Sequence, residues 1–257
     1  MKRWLPPIGI LVLLLGLWQI AASYDVIANA LRIEPFLVPS PSDIAQSLWT
    51  DRSLLVDDGW VTLQEVLAGF ALSVAAGVAF ALALHASATL RRAFYPLLVA
   101  SQTVPIVVVA PILVVWLGFG IGPKLAIIAL ICFFPITVNT LDGLRSVDPD
   151  LVKMMRTLDA SRWRTLSGVE APTALPYFFS GAKIAVAVAV IGAVFGEWAG
   201  SSSGLGHLIQ QASAQLETAR TFAAVVVLSA LAIALFGLLA ALERRVAWWG
   251  PEEAGAR

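Results

Sequence analysis

Residues 151–176, LVKMMRTLDASRWRTLSGVEAPTALP, carry Lys153, Arg156, Arg162 and Arg164 between flanks that are almost wholly apolar. Just upstream, Asp148 followed by Pro149 supplies a helix start: a short side-chain oxygen accepts free backbone N–H groups, and proline suits the first turn. From there Leu151, Met154, Met155 and Leu158 recur at i, i+3, i+4 and i+7 as one apolar stripe, while Lys153 and Arg156 point away. Asp159 tolerates a left-handed conformation, Ala160 follows it, and Ser161 can cap a second helix. Trp163, Leu166 and Glu170 share one side of that helix, and Pro172 is expected to stop it. The stretch therefore predicts two short helices joined by a tight corner. A helix this short needs a surface to pack against. Lipid headgroups, the chain's own helix ends and a groove on a cytoplasmic partner all satisfy the periodicity, which does not choose among them.

Around this island the composition is that of a membrane protein. The 257 residues are 59% hydrophobic and 13% charged, with a mean hydropathy of +0.84. A hydrocarbon core of about 30 Å takes roughly 20 apolar residues in helix, and six stretches suit it: 5–24, 61–84, 94–117, 125–141, 177–198 and 222–242. The expected fold class is an all-α integral membrane protein of about six transmembrane helices, with the charged loop between helices four and five. Pro96, Pro105 and Pro111 in the third stretch and Pro135 in the fourth predict kinks or partial unwinding. The first stretch also reads as a cleavable signal peptide, since MKRW precedes it and AASY closes it.

Net charge is zero, which argues against nucleic acid as a partner. The distribution of charge is informative instead. With a cytoplasmic N-terminus, the inner loops and tails collect Lys2, Arg3, Arg91, Arg92, Arg145, Lys153, Arg156, Arg162, Arg164, Arg244, Arg245 and Arg257, against Arg32, Arg52, Lys124 and Arg220 outside. That asymmetry predicts both termini in the cytoplasm, with Lys183 near an inner helix end. The connector after the first helix is acidic, and Ser42 is expected to cap a short interfacial helix bearing Ile44, Leu48 and Trp49. Cys132, the single cysteine, lies in an apolar run and reads as a small buried hydrophobe.

The chain resembles the permease subunits of type I ABC importers, in their nitrate, sulfonate and taurine branch. The family's cytoplasmic loop reads Glu-Ala-Ala, three residues, Gly, nine residues, Ile-x-Leu-Pro. Here Lys153, Met154 and Met155 take the Glu-Ala-Ala positions, Asp159 the glycine, and Val169, Ala171 and Pro172 the closing Ile, Leu and Pro. The flanking blocks carry the likeness in order: TLQEVLAGFALSVAAGVAFALAL from 62, FYPLLVASQTVPIVVVAPILVVWLGFGIGPK from 94, FFPITVNTLDGLRSVDP from 133, LPYFFSGAKIAVAVAVIGAVFGEWAG from 175 and GLGHLI from 204. PFLVPSPSDI, from 35, fits as well.

The resemblance implies a first helix and connector over 1–60, a translocating domain over 61–243 and a cytoplasmic tail over 244–257. It implies that the loop residues Leu151, Lys153, Met154, Met155, Leu158, Asp159, Ala160, Trp163 and Pro172 couple to separate cytoplasmic ATPase subunits. Those subunits would use ATP and Mg, and this chain would bind no cofactor. A second permease chain forming a homodimer, an extracytoplasmic solute-binding protein and membrane lipid are the other implied partners, in the cell membrane. Lys153 reverses the family's charge, so the ATPase face opposite should differ accordingly. The C-terminal block from 219 resembles members that import pyrimidine precursors of thiamine, with sulfonates next, so a small polar organic solute or oxyanion is the expected cargo.

Catalytic chemistry is missing from the sequence. LGFGIGPK, from 117, lacks the G-x-x-x-x-G-K-[ST] spacing of a phosphate loop and reads as a helix connection. GSSSGLG, from 200, reads as a flexible outer loop. No catalytic or metal-ligating cluster is visible, which disfavours an intramembrane enzyme, and no midplane carboxylate or histidine relay supports an ion-coupled carrier. The polar residues suited to a translocation path are Ser73, Gln102, Thr103, Asn139 and Glu197, with Ser101 and Thr137 beside them. Hydrogen bonding between helices explains the same residues equally well. Gly192 and Gly196 would let helices approach closely.

Overall fold

The structure, a computed structural model, describes residues 5–249. Lys2, Arg3 and Arg257 of the charge argument, and residues 250–257 of the expected tail, lie outside them. The described residues form helices and turns with no strand. In chain order these are α1 (Leu5–Ser23), α2 (Val26–Leu31), α3 (Pro41–Thr50), α4 (Arg52–Ala86), α5 (Ala88–Ser101), α6 (Ile106–Leu117), α7 (Ile121–Arg145), α8 (Pro149–Thr157), α9 (Arg162–Thr165), α10 (Ala171–Gly200), α11 (Leu205–Ala214) and α12 (Thr218–Val246).

Among the described residues, four helices are long and apolar enough to cross a membrane: α4, α7, α12 and the continuous run Arg162–Gly200. The third expected stretch is interrupted, as its prolines predicted. It is a broken pair, α5 and α6, bent by 102°, which raises the number of spans to five when counted as one. The break falls at residues 102–105, where Pro105 has no N–H to give the preceding turn and stands as the N-cap of α6. Observed helices overrun the apolar stretches; α4 begins nine residues before Val61.

Pro172 does not stop a helix. It sits in the first turn of α10, preceded by a π turn at Leu166–Glu170 that runs on from α9. A widened turn relieves the clash of a proline ring with the preceding carbonyls. Two side chains serve freed or strained acceptors there: Thr173 Oγ1 donates to Val169 O at 2.8 Å and Trp249 Nε1 to Pro172 O at 3.2 Å.

The chain divides into two compact units. The larger is Leu63–Ser201 with the chain from Leu231 onward. Its core is α7 against α10, drawn close where side chains are missing. A Cβ at Gly181 would stand 2.5 Å from Pro135 O, and one at Gly143 2.8 Å from Ala174 Cα. Gly192 and Gly196 face Ile131 and Lys124 of the same partner helix. Cys132 is buried as expected, its thiol donating to Ala185 O at 3.2 Å.

The smaller unit runs through Thr62 and resumes over Ser202–Ala230. Ile44, Leu55, Leu205, Leu208, Ala223 and Ala224 form its core. The cap of α3 is Ser40 rather than Ser42, because Pro41 occupies the first helical position and Asp43 closes a reciprocal capping box. The Ser40 hydroxyl and then its N–H, both donating to the Asp43 carboxylate, hold that acid below its ordinary range. Ser42 instead meets α1: its N–H donates to Gln19 Oε1 at 3.0 Å and its hydroxyl accepts from Gln19 Nε2 at 3.0 Å. Of residues 200–206, expected as a flexible outer loop, 201–204 are irregular and Leu205 already opens α11. Gly204 N–H donates to Asp58 Oδ1 at 2.8 Å and Leu205 N–H to Thr62 Oγ1 at 2.9 Å, so side chains of α4 cap α11.

Candidate functional site

The corner between α8 and α9 is built from local bonds. Asp148 accepts from Asp150 N–H at 2.8 Å, with Pro149 in the first turn. At the other end Asp159 adopts φ 51°, its N–H reaching Arg156 O at 3.1 Å while Ala160 N–H reaches Met155 O at 3.0 Å. These two bonds are a Schellman closure, normally made with glycine at the left-handed position. Asp159 therefore stands where the resemblance puts a glycine, and does its work. Ser161 then caps α9, accepting from Arg164 N–H at 3.3 Å.

With the backbone closed on itself, the apolar side chains point outward. Leu151 is 45% exposed, Met154 50%, Leu158 68% and Trp163 74%, whereas Met155 is half-buried. The chain's own helix ends do not cover this stripe. Lys153 is exposed and pairs with Asp150 at 2.8 Å on the same helix; Pro172 lies beyond the corner at the start of α10.

The five polar residues expected along a path are not brought together. Gln102 and Thr103 lie exposed in the break between α5 and α6, beside a cavity of about 500 Å³ that Gln102, Ser101 and Ile131 help to line. There Thr103 Oγ1 donates to Ala100 O at 2.8 Å, leaving the Gln102 amide bonded only to Ser101 Oγ at 3.3 Å among described contacts. Ser73 is fully buried and donates to Ala129 O of α7 at 3.2 Å. Asn139 is half-buried and returns its amide to Pro135 O of its own helix at 2.7 Å. Glu197 is fully buried in α10.

Sequence reasoning missed the charge cluster around Glu197. Lys124 is not in a loop, as the charge count had it. It lies in the first turn of α7, buried, with Nζ 2.5 Å from Glu65 Oε1 and 2.6 Å from Ser201 Oγ. Only a nearby acid makes burial of an ammonium affordable, and Glu65 on α4 supplies it, 59 residues away in sequence. A second pair, Lys183 with Glu243 at 3.0 Å, joins α10 to α12, and His85 Nε2 meets Glu170 Oε2 at 3.0 Å.

Residues 73–248 match the family described as binding-protein-dependent transport system inner membrane component. A probable ABC transporter permease protein of Haemophilus influenzae is 37% identical over 96% of this chain and 98% of its own length. The formylaminopyrimidine transport permease protein ThiX of Halalkalibacterium halodurans is 36% identical over 95% and 96%, and the riboflavin transport system permease protein RibX of Chloroflexus aurantiacus 35% over 95% and 91%. Among solved structures, a chain of the MetNI methionine ABC transporter in an inward-facing conformation superposes with a TM-score of 0.68 at 19% identity, covering 77% of this chain and 98% of that one. The fold is thus that of an ABC importer membrane subunit, and the ATPase is a separate subunit. This chain belongs to the binding-protein-dependent ABC transport permeases, as the ordered blocks of its sequence implied.

Proposed function

We propose that the α8–α9 corner is the surface on which a cytoplasmic ATPase docks. The observation that carries this reading is an exposed apolar stripe on a corner whose backbone bonds are already closed. Leu151, Met154, Leu158 and Trp163 are the contacts, Met155 braces them from beneath, and Asp159 and Ala160 set the bend. Lys153 chooses the motor by its charge, favouring an acidic partner face. Pro172, by admitting the π turn, joins the corner to α10, so force applied at the corner reaches a membrane helix directly. Both termini are cytoplasmic and α1 completes six spans; removing buried Lys124 from the loop count leaves Arg32, Arg52 and Arg220 outside and strengthens that orientation. The chain divides functionally into the first helix and connector (1–60), the translocating domain (61–243) and a tail (244–257).

The path passes the α5–α6 break, where Gln102 and Thr103 offer uncharged polar groups beside a cavity. Ser73, Asn139 and Glu197 hold the walls of that path in register. A second copy of the chain completes it, lipid surrounds it, and a solute-binding protein delivers the cargo. The cargo is a small polar heterocycle of the pyrimidine-precursor kind: the relatives named for formylaminopyrimidine and riboflavin support a heterocycle, and the uncharged Gln102 and Thr103 suit a neutral one.

Met154→Arg is the direct test. It places a charge in the middle of the stripe and should weaken ATPase association at least about 30-fold, the effect of losing roughly 2 kcal/mol at an interface hot spot, while membrane insertion is unchanged. Unaltered association in pull-downs would remove the docking assignment.

A further inference from the structure

A cleft of about 560 Å³ lies between the end of α4 and the α8–α9 corner. Its rim is cationic. Arg156 and Arg162 both line it and are exposed, and neither has an ion-pair or hydrogen-bond partner for its guanidinium among the described residues. One acid is present, Glu170, and it is engaged by His85 Nε2 at 3.0 Å. His85 Nδ1, on the same wall, is buried without a partner. Trp163 forms another side, and Leu82 and Val152 make an apolar floor.

Two free guanidiniums over an apolar floor suit an oxyanion that carries hydrocarbon beside its charge. The planar donor fork of arginine fits phosphate oxygens bidentately. An indole is suited to the boundary between a polar headgroup and hydrocarbon, and the floor accepts the methylenes next to a phosphate. Leu151, Met154 and Leu158 do not line the cleft, so of the apolar stripe only Trp163 is shared with it.

We propose that this cleft binds a phosphate-bearing amphiphile or ester, the headgroup of an anionic phospholipid or a soluble organic phosphate, and that the bound anion ties the corner to the end of α4. The purified chain in detergent micelles tests this without any assumption about orientation or docking. Its melting midpoint is followed against phosphatidylglycerol, phosphatidylcholine and inorganic phosphate. Phosphatidylglycerol should raise the midpoint and phosphatidylcholine should not. Arg156→Gln with Arg162→Gln should raise the half-saturating concentration about tenfold or more, the loss of roughly one charge-assisted contact. Arg91→Gln with Arg92→Gln, on α5 outside the cleft, should stay within about twofold of the parent. Should the glutamine pair fail to fold, Arg156→Lys with Arg162→Lys keeps the charge and loses the fork, and should be weakened less than tenfold but measurably. Protection by inorganic phosphate as well assigns a soluble phosphate; protection by phosphatidylglycerol alone assigns lipid. An equal response to phosphatidylcholine, or a parental response in both arginine double variants, overturns the proposal.

Discussion

Two small turns of this molecule look alike in sequence and are built oppositely. The turn before α11 and the corner between α8 and α9 both contain serine and a residue at positive φ, Gly204 at 108° and Asp159 at 51°. At the first, the free N–H groups of Gly204 and Leu205 go to Asp58 and Thr62, more than 140 residues away, and Leu205 is fully buried. At the second every capping partner lies within a few residues, and the large apolar side chains face outward. A turn that spends its polar groups on distant helices is finished by its own chain. One that satisfies itself locally leaves its apolar surface uncovered by its own chain, which is the basis of the docking we propose.

The comparison makes unequal demands on mutation. The largest effect belongs to the most closed contact, Lys124 with Glu65: Lys124→Met should lower stability by about 3–5 kcal/mol by leaving a buried carboxylate unpaired, and Lys124→Met with Glu65→Met should recover much of it. Melting in micelles reads both; a single variant no weaker than the double would break the assignment of this contact as structural. Next, Asp58→Ala should cost about 1–2 kcal/mol by uncapping α11, whereas Met154→Arg at the corner should leave melting unchanged and cost association instead. If Met154→Arg melted as low as Asp58→Ala, the stripe would be packing against its own chain. The smallest effect is a gain. Asp159→Gly relieves a left-handed residue with a side chain and should stabilise the corner by up to about 1 kcal/mol, read as slower amide exchange at Ala160.

What was legible in the sequence follows the same division. The corner could be read almost atom by atom, because Asp148, Ser161 and the spacing from Leu151 to Leu158 are local signals acting within one or two turns. The family was legible for a related reason: its blocks are ordered along the chain. Features that depend on partners far away could not be read. LGHLIQQASA carries helical spacing in Leu205, Leu208, Ile209 and Ala212, but nothing local shows that Asp58 and Thr62 cap its start. Lys124 in a glycine-rich run resembles a loop residue until Glu65 comes beside it. Pro105 announced a break, but nothing local sets its 102° angle. Ser73 and Glu197 show the remaining ambiguity, since a polar residue deep in a helix has the same neighbours in sequence whether it faces a path or another helix.

The central claim, that the α8–α9 corner faces the cytosol and is covered by the ATPase, is tested most directly by Ser161→Cys. Cys132, the only native thiol, is buried and should stay silent. A membrane-impermeant thiol reagent should label position 161 in inverted vesicles but not in intact cells, and bound ATPase should suppress that labelling. Labelling from outside intact cells, or labelling in inverted vesicles that the ATPase leaves untouched, would contradict it.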